Sequence, residues 1–244
     1  MKRSLIPLLI LIAFTVHGYS QEIALNPGVD IMSRYVWRGL NLGGSSPSIQ
    51  PSLEFTAGKF TLGTWGAFST SNDFTVQETD LYMSYNLCDA FTVGITDYFL
   101  PDELAENEHY FEFKDDSTGH VLEAAATFNG TEKIPFTFMA AVNFYGADAR
   151  HANNKKQYST YFELAYKTKV KDVECRIFIG GTATNPDKEL HETGYYAESA
   201  GITNFGITGI RTVQINDKFG LPLTGSFIIN PKTEKVFLVI GLSF

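Results

Sequence analysis

Val236 to Phe244 reads VFLVIGLSF. With the two-residue period of a strand, Val236, Leu238, Ile240, Leu242 and Phe244 share one face, and the chain stops on an aromatic. A soluble edge strand with that much bare apolar surface would be an aggregation hazard. Against a lipid bilayer the same surface is satisfied.

Working back along the chain, the alternation recurs every 15 to 20 residues or so and predicts an all-β, transmembrane, up-and-down antiparallel β-barrel of about twelve strands. Gln77 to Leu87 shows the sharpest contrast, with Leu81, Met83, Tyr85 and Leu87 against Glu78, Asp80, Tyr82, Ser84 and Asn86. Phe136 to Tyr145, Tyr158 to Thr168 and Val173 to Thr182 repeat it, and the first strand is expected from about Ala24 to Leu42. Between Ser199 and Ile215 the parity is unclear, because Phe205 and Ile207 fall in step with Arg211; a bulge or a shifted boundary is expected there.

The connections tend to alternate long and short. Pro101 to Gly119, Gly146 to Gln157 and Ala183 to Glu198 are long, whereas Gly58 to Lys59, Asp89 to Ala90 and Lys169 to Asp172 are tight. Long loops at one end and short turns at the other suit an outer-membrane barrel, and a Greek-key sandwich would not need that pattern.

The opening of the chain, MKRSLIPLLILIAFTVHGYSQ, carries Lys2 and Arg3, an apolar run from Leu5 to Val16 and small residues at Gly18 and Ser20. It reads as a signal peptide over residues 1–20, leaving 21–244 as the barrel. No cysteine near the cleavage point suggests a lipid anchor. The expected location is the outer membrane of a Gram-negative cell. A formal charge of −8, without a basic stripe, argues against nucleic acid as a partner. Cys88 and Cys175 are read as free thiols on separate strands.

SRYVWRGL, Ser33 to Leu40, sets two arginines among aromatics. As a continuing strand it places Tyr35 and Trp37 at the height of an outer aromatic girdle, with Arg34 and Arg38 pointing into the lumen. By the same parity the pore lining comprises Asp30, Arg34, Arg38, Glu54, Glu78, Asp80, Glu123, Glu163, Lys167, Glu174 and Arg176. Seven acids then face four bases, which predicts a weak preference for cations.

SRYVWRGLNLGGSSPSIQPSLEF, LGTWGAFS, ETDLYMSYNL and FTVGITDYFLP resemble, in order, the N-terminal half of the TorF-type porin family, proteins once known only as conserved hypothetical ones. The match runs to about Pro101. The resemblance implies a barrel conducting small solutes or ions, with no cofactor, no metal and no catalytic residues to carry over. The terminal strand ending at Phe244 resembles the signal by which barrel-assembly machinery recognises its clients, which makes that machinery, outer-membrane lipid and lipopolysaccharide the expected partners.

Two other classes compete. An outer-membrane hydrolase could use His109, His120, His151 or His191, all in or beside outer loops, although no GxSxG elbow or HExxH helix organises them. A non-conducting barrel could anchor adhesive loops. The acidic stretch Pro101 to Gly119 could hold calcium but fits no calcium-loop spacing, and the basic ARHANNKK, Ala149 to Lys156, could meet lipopolysaccharide phosphates or that acidic loop. Solvated loops are the plainer reading of both.

Overall fold

A computed structural model describes residues 23–71, 77–101 and 109–244. The signal-peptide reading of residues 1–20, and with it Asp102, Glu103, Glu106 and Glu108 of the acidic loop, lies outside the described residues.

Twelve strands close into one antiparallel barrel. They are β1 (Ile23–Met32), β4 (Ser48–Ala57), β5 (Phe60–Ser69), β6 (Gln77–Cys88), β7 (Phe91–Phe99), β8 (His120–Phe128), β9 (Phe136–Gly146), β10 (Thr160–Val170), β11 (Val173–Thr182), β12 (Gly201–Asn216), β13 (Phe219–Asn230) and β14 (Lys235–Ser243). Each pairs with its neighbour in sequence. The ring closes where Asp30, Ile31 and Met32 of β1 meet Ser243, Leu242 and Gly241 of β14, and Phe244 exchanges backbone hydrogen bonds with Val29. Two short strands, β2 (Val36–Trp37) and β3 (Leu40–Asn41), pair only with each other.

The alternation in the sequence becomes an inverted protein. On β6, Leu81, Met83 and Tyr85 face outward at 45%, 48% and 46% exposure, while Glu78 and Asp80 point inward at 2% and 5%. The same holds around the ring, with Ile49 and Leu53 on β4, Phe136 and Phe138 on β9, and Leu238 and Ile240 on β14 all exposed. An antiparallel sheet wetted on its outer face would carry polar residues there. This one carries a continuous apolar band.

One expectation is corrected. The first strand does not continue to Leu42: it ends at Met32, and residues 33–47 fold into the lumen. Tyr35 and Trp37 therefore lie on no outer girdle. Tyr35 is 7% exposed and stacks 5.3 Å from the inward ring of Trp65, and Trp37 sits 5.2 Å from Tyr98. The two-residue period runs on through a turn, and the hydrophobic faces of the two aromatics find partners inside the barrel. The irregularity expected in β12 is present: its register shifts between Ile202 and Asn204, opposite Gly180 and Gly181, and again between Gln214 and Asn216. Arg211 faces outward with Phe205 and Ile207 near the turn end, where its Nε meets Asp172 Oδ2 at 2.8 Å.

Candidate functional site

The lumen is occupied by the β2–β3 hairpin. Val36 pairs with Asn41 and Trp37 with Leu40, so Arg38 and Gly39 form a two-residue turn, and both have positive φ, 50° and 80°. This is the primed turn that matches strand twist, with arginine in the place more often taken by asparagine. Gly39 is required at the second place. A Cβ there would lie 1.9 Å from the Thr203 carbonyl oxygen of β12. The hairpin tip is pinned against that wall by Thr203 Oγ1, which donates to the Arg38 carbonyl at 3.2 Å, and by Asn230 Nδ2, which donates to the Gly39 carbonyl at 3.0 Å.

From this tip the Arg38 side chain crosses to β8. Its guanidinium forks onto Glu123, with NH2 donating to Oε1 at 2.8 Å and NH1 pairing with Oε2, and NH1 also meets the Tyr196 hydroxyl at 2.6 Å. Tyr98 and Tyr196 donate to the same carboxylate, each at 3.1 Å. The Trp37 and Tyr161 rings each stand 4.4 Å from the guanidinium carbon. A bidentate, nearly dry ion pair with two further hydroxyl donors is the kind that fixes geometry. Because β12 and β8 stand well apart in the ring, the hairpin spans the bore.

Two apolar layers complete the obstruction. Above, Ala141, Tyr161 and Tyr196 pack with Trp37, Leu40 and Met139; below, Ala165, Phe178, Ile228, Phe237 and Val239 pack with Met32 and Val36. On the turn side of these layers the wall becomes polar again. A cavity of about 650 Å³ is lined there by Lys167, Lys169, Glu174, Arg176 and Thr208.

The pore-lining residues read from the sequence thus separate into distinct environments. Arg38 and Glu123 form the lock. Glu78 and Asp80 are buried beyond it, toward the outer loops. Glu163 pairs with Arg176 and accepts from Tyr161 at 2.7 Å and Asn204 at 2.9 Å. Glu54 accepts from Tyr82 at 2.7 Å. Lys167 and Glu174 are exposed to the open chamber, Asp30 points inward from β1, and Arg34 leaves the wall with residues 33–47 to lie 5.8 Å from the Phe237 ring. The inward parity of strand residues was readable. The role of Tyr161, Tyr196 and Asn204 was not, since hydroxyls and amides on a strand carry no signal apart from the partner they meet.

The described residues of the long loops, 109–119, 147–159 and 183–200, form a roof. Asp115 of the acidic loop receives the Gly146 amide at 3.1 Å, Arg150 NH2 at 3.3 Å and Lys156 Nζ, so the basic loop does meet the acidic one. These cations hold the Asp115 carboxyl down to about 2. Glu192 accepts from the amides of Asp187 and Ala152, at 2.9 and 2.8 Å, and lies 3.0 Å from His151; those donors likewise hold it at about 2. Among the described residues no three acidic, cysteine or histidine side chains gather as a metal site. His120 is 1% exposed, with Nδ1 2.8 Å from Asp97 and Nε2 2.7 Å from the Tyr110 carbonyl, so both ring nitrogens are engaged in holding the loop. Cys88 and Cys175 are free thiols.

Residues 18–214 match the family model described as a bacterial protein of unknown function, Gcw_chp. The chain belongs to the Gcw_chp family. The matched span covers the hairpin, its lock and the roof, so the lumen plug lies within the part that defines the family. No curated protein matches the chain.

Proposed function

We propose that this Gcw_chp protein is a porin-like channel of the Gram-negative outer membrane, passing small hydrophilic solutes or ions by diffusion, with the β2–β3 hairpin as its gate. The apolar exterior supports the location, because soluble monomers rarely expose contiguous apolar patches beyond a few hundred Å². The pairing of Phe244 with β1 fits a terminal strand handled by barrel-assembly machinery, and the resemblance to TorF-type porins points the same way.

One observation carries the transport reading. The chamber of about 650 Å³ below the plug is left open, bordered by the charged Lys167, Lys169, Glu174 and Arg176 together with Cys175 and Ile210, where a barrel serving only as an anchor would be filled by packed side chains. A chamber with charged walls ending at the hairpin suits conduction once the hairpin is displaced. Passage then depends on releasing Arg38 from Glu123. The carboxylates Glu78 and Asp80 on the outer side favour cations at the entrance.

A second reading is favoured by the roof. Loops joined through Asp115 and Glu192 present a fixed outer surface, as expected of a non-conducting barrel that displays an interaction site. Single-channel recording separates the two: discrete steps from the protein in a planar bilayer, more frequent in Arg38→Met, support the gated channel, and a silent bilayer after verified insertion of both proteins moves the assignment to the roof.

A further inference from the structure

Between the hairpin and the roof lies a second cavity, of about 380 Å³, bordered by Trp37, Leu40, Glu78, Tyr98, Val121 and Tyr195. Its walls are apolar or aromatic except for one carboxylate. Glu78 is 2% exposed; the Tyr35 hydroxyl and the Asp80 carboxyl lie beside it, and its Oε2 meets no hydrogen-bond partner among the described residues. Asp80, two residues along the same face and 5% exposed, has an Oδ1 in the same condition. The buried cation at this level is already committed, since Arg38 is bound by Glu123. Three buried carboxylates thus share one guanidinium.

A buried carboxylate oxygen without a donor is costly, which asks for a ligand that brings one. A positive ligand suits the site, because Arg38 is already neutralised by Glu123 and leaves two acidic side chains at the wall. A calcium ion is a poor match: it wants six to eight oxygens, and leucine and aromatic carbons form most of this wall. Aromatic faces and edges around a single carboxylate instead suit a cation carrying its own carbon shell, whose charge is spread over CH groups and attracted by ring quadrupoles. The volume fits the lower end of small-molecule sites.

We propose that this cavity binds a small organic cation of the alkylammonium class, with its nitrogen at the Glu78 carboxylate and its carbons against Trp37, Tyr98 and Tyr195. The site stands whether or not the barrel conducts. Leu100, Gly119 and Ala147 border it at the outer end of the barrel, and by contacting Trp37 its occupant touches the hairpin that fills the bore.

The test is calorimetric titration of the full chain, folded in non-ionic detergent, with choline and with ethylammonium, against glycerol as a neutral probe, at constant salt. Saturable one-site binding of at least one ammonium probe is expected, weakened about tenfold or more by Glu78→Gln, a near-isosteric change, and by a smaller factor in Trp37→Leu. Either variant suffices should the other fail to fold. The proposal is overturned if neither ammonium probe saturates, as a carboxyl pair merely sharing a proton would produce. It is equally overturned if glycerol binds as well as they do, or if the folded variants bind with unchanged affinity.

Discussion

Arg38 and Glu123, 85 residues apart in sequence, face each other across the bore as a bidentate pair with 8% and 2% of their side chains exposed. One belongs to an inserted hairpin and the other to the wall. The pair ties the hairpin across the lumen to the far wall.

Removing one partner leaves the other charge buried and alone, at a cost of about 3 to 5 kcal/mol to the closed arrangement. Arg38→Met and Glu123→Gln should each raise the open fraction in single-channel records and admit larger solutes in liposome swelling. Arg38→Met combined with Glu123→Met should close the bore again, because two apolar side chains replace the pair. Equal conductance in all three proteins and the parent would rule out the gate.

At the hairpin tip, Gly39→Ala meets the Thr203 carbonyl oxygen at 1.9 Å and adds the strain of a non-glycine residue at φ 80°, of the order of 1 to 3 kcal/mol. The tip should withdraw from β12. In a Trp65→Phe background, the remaining Trp37 emission should shift to the red as the indole meets water. An unshifted spectrum would mean that the wall yields instead of the hairpin.

The roof should depend on acid. Asp115 and Glu192 are held near 2, below the 3.8 and 4.5 of free carboxyls. A depressed carboxyl contributes stability that is present above its unfolded value and lost as pH falls toward the folded one. The loops should therefore stay protected from protease at neutral pH and become susceptible between about pH 4 and 2, with the barrel itself intact. Asp115→Asn should show the susceptible pattern for the 109–119 loop already at neutral pH. Limited proteolysis reads both, with an acid-active enzyme for the pH series and a neutral protease for the variant.

The outer band can be examined with charge. Leu238→Arg, on a residue 66% exposed on the outer face, should destabilise the protein in lipid vesicles by about 2 to 4 kcal/mol if it lies near the bilayer centre. Thr224→Arg, on the inner face of β13, should cost far less. Urea unfolding in vesicles gives both values, and similar costs for the two would contradict a lipid-facing band.

The barrel was legible because its message is repeated: each strand states which side is apolar, and the closing VFLVIGLSF states it most clearly. The plug was not, although its residues were singled out. In VWRGLN the alternation continues through Trp37, so a period of two sees a strand where the chain makes a turn; Arg-Gly as the turning pair, followed by Gly43, Gly44 and Pro47, was the signal that could have placed it. Arg38 was correctly aimed at the lumen for an incomplete reason. That Glu123 is its partner, or that Glu78 lacks one, depends on the ring of strands bringing distant wall positions together, and local periodicity holds no such information.

The seam between β1 and β14 has a consequence for how the molecule is made. Residues 33–47 leave β1 at its upper end, and β1 is paired along ten residues with β4 but along three with β14. A hairpin threaded through a finished ring would have to break its fit against Thr203. A sheet still open between its first and last strands can wrap around the hairpin and zip shut with few bonds left to form. Assembly in that order makes the plug a mandrel: the wall is shaped on it, and a chain lacking residues 35–41 should close slowly or with a slipped register.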